Sequence, residues 1–476
     1  MPIAANNEVK ESLVVFRNSQ GAEIRASLLR LTRHLVVLEL CGPASDLRTS
    51  EVVTELKIIW HDRTVYCGRA VVSNVIDTGL VTVCEATLGD AWADVDFSSP
   101  AGLANSLGAQ FRDFIHNWQK LYRVLPDYKA AIADLQTFLS DLRLWLEQVE
   151  VGIRSAPTTD RIQLEHDAAQ RLQPSVVPAI NSLFERFEEV SQRIEADLVP
   201  AHHAFGKRQL HPLLLGAPFV CRTYAKPLGY AGDYEVVNMM FRDPAEGASL
   251  FAKMVNAYAL QLPPIVGHRN RIAYLTEQLI AEARRQAARQ RGLRVFNLGC
   301  GPAHEVQRFM SDDALSSRAS FLLADFNDET VGYTTAVLNE VKRRHGRATS
   351  LRVIKKSVHQ LLKQADRTGN YTEADQYDFI YCAGLFDYLS SKVCRSLMDI
   401  LYDLLAPGGL VVATNVDVHP ARGEMECFLE WHLIHRDFEK LRTIAPRRAN
   451  AQNVTLKRDP TGVNVFMEIR KADSEK

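Results

Sequence analysis

The sequence predicts an α/β protein whose C-terminal half is built on a mostly parallel sheet, behind a small all-β barrel and a helical segment. Three patterns predict it. From residue 11 to about 100, short β-branched and aromatic runs alternate with turn chemistry. From about 106 to 205, apolar residues recur every three or four positions. From about 285 onward, strand-like and helix-like runs take turns. At 476 residues the chain exceeds what one core supports. We therefore place a barrel at 1–103, a helical linker at 104–206 and a larger domain at 207–476, with 207–284 as its N-terminal lid.

Composition narrows the partners. With 46% hydrophobic and 24% charged residues the chain is an ordinary globular protein. Its formal charge of -1 provides no global field toward nucleic acid or an anionic membrane, so neither is an expected partner. No apolar run nears the roughly 20 residues of a bilayer span. The N-terminus lacks the basic and then apolar stretches of a signal peptide, and a cytoplasmic location is expected. The eight cysteines are scattered without a C-x-x-C pair, which points to reduced thiols and no metal site.

The first elements are the strands "SLVVF", "EIRASLLRLT" and "HLVVLEL", separated by "NSQG" and "CGPASD" turns. Further on, "TVYCGRAVVSNVIDTGLVTV" resembles PilZ-type barrels. In that family cyclic di-GMP is held by an R-x-x-x-R arm and a D/N-x-S-x-x-G turn. Neither is present here, so cyclic di-GMP binding is not expected. The helical segment carries Leu135, Leu139, Leu142 and Leu146 on one stripe, which must be buried. We expect a homodimer through this face, with an intramolecular bundle as the alternative.

In the C-terminal half "LRVFNLGCG" is a strand entering a glycine loop, and "AHEVQRFMS" opens a helix. Gly299 and Gly301 allow a ligand to approach the backbone. The next strand, "ASFLLADFND", ends in Asp325, placed to accept both ribose hydroxyls of a bound nucleoside. The third strand ends at Ser357 and Val358, where an adenine would be covered, and the fourth at Gly384 and Asp387. The turn "APGG" introduces the fifth, and "NVTLKRDPTGVNVFMEIRK" is a terminal hairpin. A dinucleotide dehydrogenase would prefer G-x-G-x-x-G, whose third glycine is replaced here by His304.

Taken together, the glycine loop, the acid ending the second strand, the "L-x-P-G-G" turn and the hairpin resemble the class I S-adenosylmethionine-dependent methyltransferases over about 285–476. That resemblance implies a seven-stranded sheet with its last strand antiparallel, and S-adenosylmethionine as donor. The combination of "KPLGYAGDYEVVN", "LGCGPAHEV", "AGLFDYLS" and "EWHLIHRD" resembles the bacterial enzymes that make 3-hydroxy fatty acid methyl esters, such as that of 3-hydroxypalmitate, as cell-density signals. The similarity implies donor contacts at Gly299, Gly301, Glu305, Asp325 and Asn327, with Tyr230 and Asp233 nearby.

Residues 226–241 then form a lid over the donor, Asp233 answering the sulfonium or amino group and Arg269 the carboxylate. A carboxylate acceptor, with a pKa near 4, is ionised and needs no general base. It needs a grip, for which Trp431, His432, His435 and Arg436 on one helix are candidates, Arg436 through two parallel bonds. Tyr388 lines the transfer site. The alternatives are another small-molecule acceptor, or a non-catalytic nucleoside-binding regulator with a sensory barrel.

Overall fold

The computed structural model describes residues 13–19, 21–40, 47–60, 63–77, 82–89, 92, 124–368 and 376–473. Six strands close the barrel: β1 (Leu13–Arg17), β2 (Glu23–Leu31), β3 (Leu35–Leu40), β4 (Val52–Trp60), β5 (Arg63–Asp77) and β6 (Thr82–Leu88), ordered β1-β2-β3-β6-β5-β4. Alternation selects the inward face. In β3 every second residue is buried, and Val14, Phe16, Leu38, Ile58 and Tyr66 fill the interior. The boundary at 103 and the start of the helical run lie outside the described residues.

Helices α1 (Pro126–Arg154) and α2 (Thr158–Ser191) form a hairpin, followed by α3 (Val199–Leu214). Leu135, Leu139 and Leu146 are fully buried inside this chain, against a core that includes Phe184 and Phe187. The apolar stripe is covered intramolecularly, so it no longer argues for a dimer. His202 caps the arrangement: its Nδ1 is 2.8 Å from the Leu198 carbonyl, and its Nε2 accepts from the Leu125 N–H at 3.0 Å. Helix α3 runs unbroken through 206 and 207, so the bundle continues into the lid and shares one core with it.

The lid adds α4 (Pro218–Ala225), α5 (Tyr234–Met239) and α6 (Leu250–Ala259) before the long α7 (Pro263–Ala288). The sheet consists of β7 (Leu293–Leu298), β8 (Ala319–Asp325), β9 (Ser350–Lys355), β10 (Tyr377–Cys382), β11 (Leu405–Val416), β12 (Val454–Arg458) and β13 (Asn464–Arg470). Its order is β12-β13-β11-β10-β7-β8-β9, with β13 antiparallel to both neighbours. This is the seven-stranded arrangement the sequence implied. Helices α7, α8 (His304–Asp312) and α9 (Asp328–Arg344) cover one face, while α10 (Val358–Thr368) and α11 (Ser391–Asp403) cover the other. Strand order reverses between β7 and β10, and there the carboxyl ends of the strands open a crevice. Among the described residues no helix is long and apolar enough to cross a membrane.

Candidate functional site

The crevice holds about 1280 Å³ of space, its open mouth included, and four parts of the chain wall it. The first is the glycine loop after β7. Gly299 and Gly301 both take positive φ, +77° and +50°, and a Cβ on Gly301 would meet no atom within 4 Å, so its Cα faces open space. The second is the end of β8. Asp325 is buried, and both its oxygens accept backbone bonds at 3.1 Å, Oδ2 from Gly301 and Oδ1 from Asn327. It therefore fixes the loop to the strand and keeps a second lone pair on each oxygen. Burial pushes its pKa up, opposed by those N–H groups and by Arg48.

The third wall is α7. Pro264, Ile265, His268, Arg271, Ile272 and Leu275 all face the crevice, at the three- and four-residue spacing of one helical stripe. Arg269 lies off that stripe. Its guanidinium donates instead to the carbonyls of Met240, at 3.3 Å, and Leu260, at 3.0 Å, so the carboxylate-binding role expected of it does not stand. Arg271, two residues on, lines the crevice instead. Burial pushes its pKa down, opposed chiefly by Asp387. Its Nη2 lies 2.7 Å from Nδ1 of His268, which burial and Arg271 push well below the usual imidazole range and keep neutral. Among the described residues its Nε has no hydrogen-bond partner, and the same is true of Asn297 Oδ1 and both amide atoms of Asn464. All three residues line the crevice. Orphaned buried polar atoms along one crevice call for a partner there, from solvent or from a ligand. Gly384, at φ +89°, completes this corner, where a Cβ would stand 3.0 Å from Arg271.

The fourth wall joins the lid to the end of β10. Tyr230 packs on Phe326 with centroids 4.9 Å apart, and its hydroxyl is 3.3 Å from that of Thr330. Tyr388 accepts from the Trp431 indole N–H at 2.8 Å and reaches the Ala231 carbonyl at 3.4 Å. Burial pushes the Tyr388 pKa up, so its hydroxyl stays neutral. Glu305 accepts from the buried Tyr381 hydroxyl at 2.7 Å. Asp387 accepts from Val416 N–H at 2.7 Å, and burial raises its pKa to about 6 against the pull of Arg271.

Eight of the expected residues thus meet here: Tyr230, Gly299, Gly301, Glu305, Asp325, Gly384, Tyr388 and Trp431. The others have structural work. Asp233 caps α5, accepting from Glu235 and Val236 N–H at 2.9 Å, and its carboxylate is paired with Arg222 at 3.0 Å. Asn327 caps α9 through Thr330 N–H at 3.0 Å. Ser357 and Gln360 cap each other reciprocally at the start of α10, and Val358 is buried in the core. An aspartate or asparagine just ahead of an acid-rich first turn is a cap signature that was readable in both sequences.

The largest correction concerns residues 430–437. They form no helix; α12 (Arg422–Phe428) ends before them, Glu430 turns at φ +49°, and α13 begins at Phe438 and runs to Arg442. Tertiary bonds hold the segment extended, from Ile434 N–H to the Asp387 carbonyl at 2.7 Å and from Arg436 N–H to the Val416 carbonyl at 3.1 Å. Arg436 is 1% exposed and donates to Phe386 O and Asn415 Oδ1 at 2.7 Å, to Leu389 O at 2.6 Å and to Ser391 Oγ at 3.3 Å, leaving nothing to grip a substrate. His432 turns away from the crevice toward a small cavity beside the barrel that also touches Lys207 and Glu430. Trp431 alone of the four faces the crevice. Sequence reasoning missed Arg271, Phe326, Arg48 and Thr49. The stripe on α7 carried a signal for the first; the last two belong to the barrel.

No family model matches the chain, and no curated protein matches it. Several solved structures align with it. A possible exported protein from Bordetella parapertussis is 16% identical, covering 59% of this chain and 98% of that one, with a TM-score of 0.41. The magnesium protoporphyrin IX methyltransferase of Synechocystis PCC 6803 with bound SAH is 13% identical over 44% of this chain and 84% of that one, TM-score 0.31. The N-methyltransferase NodS of Bradyrhizobium japonicum WM9, in complex with S-adenosyl-L-homocysteine, is 14% identical over 52% and 98%, TM-score 0.29. At these scores the likeness carries no argument, and a functional reading rests on the crevice.

Proposed function

We propose that this chain is an S-adenosylmethionine-dependent methyltransferase that esterifies the carboxylate of a 3-hydroxy fatty acid such as 3-hydroxypalmitate, a product suited to a quorum-sensing signal. One observation carries the reading: a buried arginine whose Nε has no partner among the described residues, Arg271, and a buried carboxylate bonded to the glycine loop, Asp325, line one crevice. A ligand with a carboxylate at one end and a ribose diol at the other fits both. When bound, that donor supplies an electrophilic methyl group on a sulfonium.

The chain's own residues then do four things. Arg271 holds the donor carboxylate by charge-assisted bonds. Asn297 Oδ1, which lines the same crevice and has no partner among the described residues, would accept from the amino group. Asp325 accepts from the ribose with its remaining lone pairs. Tyr388 and Trp431, fixed to each other and to Ala231, form the wall that would position an acceptor carboxylate against the bound donor. Val237, Met240, Ile265, Met425 and Leu433 give that side an apolar lining suited to an acyl tail. No proton moves, which agrees with a neutral Tyr388 and neutral His268.

Asp387, with its raised pKa, favours a second reading in which a hydroxyl or amine acceptor loses its proton to that carboxylate. The test is incubation of purified protein with methyl-labelled donor and 3-hydroxyhexadecanoate, with the ester read by mass spectrometry. Labelled ester supports the proposal. Label only on alcohols or amines moves the assignment to the second reading, and no transfer to any acceptor removes the enzymatic one.

A further inference from the structure

We infer that the barrel supplies part of the nucleoside site: Arg48 and Thr49, at the turn before β4, are ligand-binding residues of the crevice, not surface of a separate sensory domain. The inference rests on the donor reading above and extends it to a part of the chain that the sequence assigned no chemistry.

The turn is built to project. Ser50 takes φ +65°, and Glu51, 1% exposed, folds back so that Oε2 accepts from Arg48 N–H at 2.9 Å while Oε1 accepts from Ser19 N–H at 2.6 Å. Ser50 N–H donates to Val72 O at 2.7 Å, which anchors the turn to the barrel. Val52 N–H donates to the lid carbonyl of Gly229 at 2.7 Å, and the Ser50 hydroxyl lies 2.5 Å from His432 N and 2.9 Å from His432 O. Gly229 is glycine because this contact requires it: at φ +84° its Cβ would stand 2.8 Å from that of Ser19. The barrel is therefore fastened to both the lid and the 430–437 segment.

At the tip, the Arg48 guanidinium carbon lies 4.1 Å from the centroid of Phe326, the residue after Asp325. Thr49 is 3% exposed and lines the crevice, and among the described residues its hydroxyl has no partner. A cationic plane on the aromatic ring beside the ribose acceptor, next to a buried unused hydroxyl, suits the flat base and hydroxyls of a purine nucleoside. Arg48 serves the nucleoside end, Arg271 the amino-acid end.

Calorimetry with adenosine and S-adenosylhomocysteine on the full chain separates these roles. Arg48→Met is expected to weaken both ligands about tenfold, by the same factor, with an unchanged melting temperature. Thr49→Val lowers both less. Arg271→Met weakens only S-adenosylhomocysteine. Should Arg48→Met melt early, Arg48→Lys carries the test: it keeps the charge, loses the plane over Phe326 and is expected to bind both ligands less tightly than the parent. Wild-type affinity in the Arg48 variants for both ligands overturns the inference and leaves the donor reading intact. A parent protein that binds neither ligand overturns the donor reading and this inference with it.

Discussion

Two buried arginines act on Asp387 from different parts of the chain, and they do opposite work. Arg436 comes from the extended segment after α12 and places its donors on four protein acceptors. Arg271 comes from α7, has neutral His268 as its hydrogen-bond partner among the described residues, and leaves Nε without one there. Burial alone does not separate them, since they are 1% and 7% exposed. What separates them is the account of donors. A buried cation whose N–H groups are all used holds a fold together; one with a donor left over beside a cavity is there for something that arrives later.

The contrast breaks most visibly at Arg436. Arg436→Met leaves the Asn415 amide oxygen without its donor and takes the charged donor from the carbonyls of Phe386 and Leu389, which keep only the Leu389 N–H and the Cys394 thiol. We expect a loss of about 4 kcal/mol in denaturant unfolding, since a buried unpaired group costs roughly 1 to 3 kcal/mol and a bond from a charged donor contributes roughly 1.5 to 3 kcal/mol. A variant that unfolds like the parent but raises the KM of the acyl acceptor would return Arg436 to the substrate. Arg271→Met should do the reverse. It removes one bond to His268 and a costly buried charge, while Asp387, which loses an opposing cation, can take up a proton, so stability at about pH 6 and below stays about level. Affinity for S-adenosylhomocysteine falls about 100-fold, the equivalent of roughly 3 kcal/mol for charge-assisted bonds. Equal binding with a lowered melting temperature would make the two arginines alike and erase the comparison.

The legible and the illegible parts of the sequence divide along the same line. The sheet was readable because its strands are continuous apolar runs closed by glycine and proline turns, and the loop Gly299–Gly301 and Asp325 follow from their place at strand ends. Arg269 and Arg271 are two residues apart on one helix, so they point to nearly opposite sides; composition could not choose between them, whereas the stripe through His268, Ile272 and Leu275 does. Residues 430–437 carry enough apolar spacing to suggest a helix, but bonds to Ser50, Asp387 and Val416 hold them extended. Those partners come from the barrel and from two strand ends. No local pattern records contacts with such distant parts of the chain, and for the same reason the barrel's share in the crevice could not be seen.

Asp387, acted on by both arginines, sharpens the comparison through pH. Burial raises its pKa from 3.8 to about 6 in the folded chain. The folded state thus keeps this proton to higher pH than the unfolded one. The resulting stabilisation is full below about pH 4 and is lost as pH rises through about 6. Asp387→Asn imitates the protonated form and can still accept from Val416 N–H. Its gain in stability should grow between about pH 4 and 6 and then level off at about 3 kcal/mol, read from unfolding curves across that range. A gain independent of pH would mean the carboxylate is not held uncharged by burial. Turnover on the acyl acid that survives in this variant excludes Asp387 as a base.

The smallest effect is expected at Tyr388, which has neither a spare charge nor a titration in reach. Its hydroxyl ties the Trp431 indole to the lid carbonyl of Ala231. Tyr388→Phe keeps the ring and frees the indole N–H, which costs about 1 kcal/mol of stability. It lets Trp431 shift in a wall where Gly232 already stands close, an added Cβ there lying 3.1 Å from the indole. Turnover should fall about fivefold at unchanged donor affinity, because a misplaced acceptor lowers the population aligned for attack without touching the donor's charged end. The profile of rate against pH should keep its shape. If the variant instead loses an ascending limb, the hydroxyl is removing a proton, the acceptor is not a carboxylate, and the division of this crevice into one arm that binds charge and one that only positions must be redrawn.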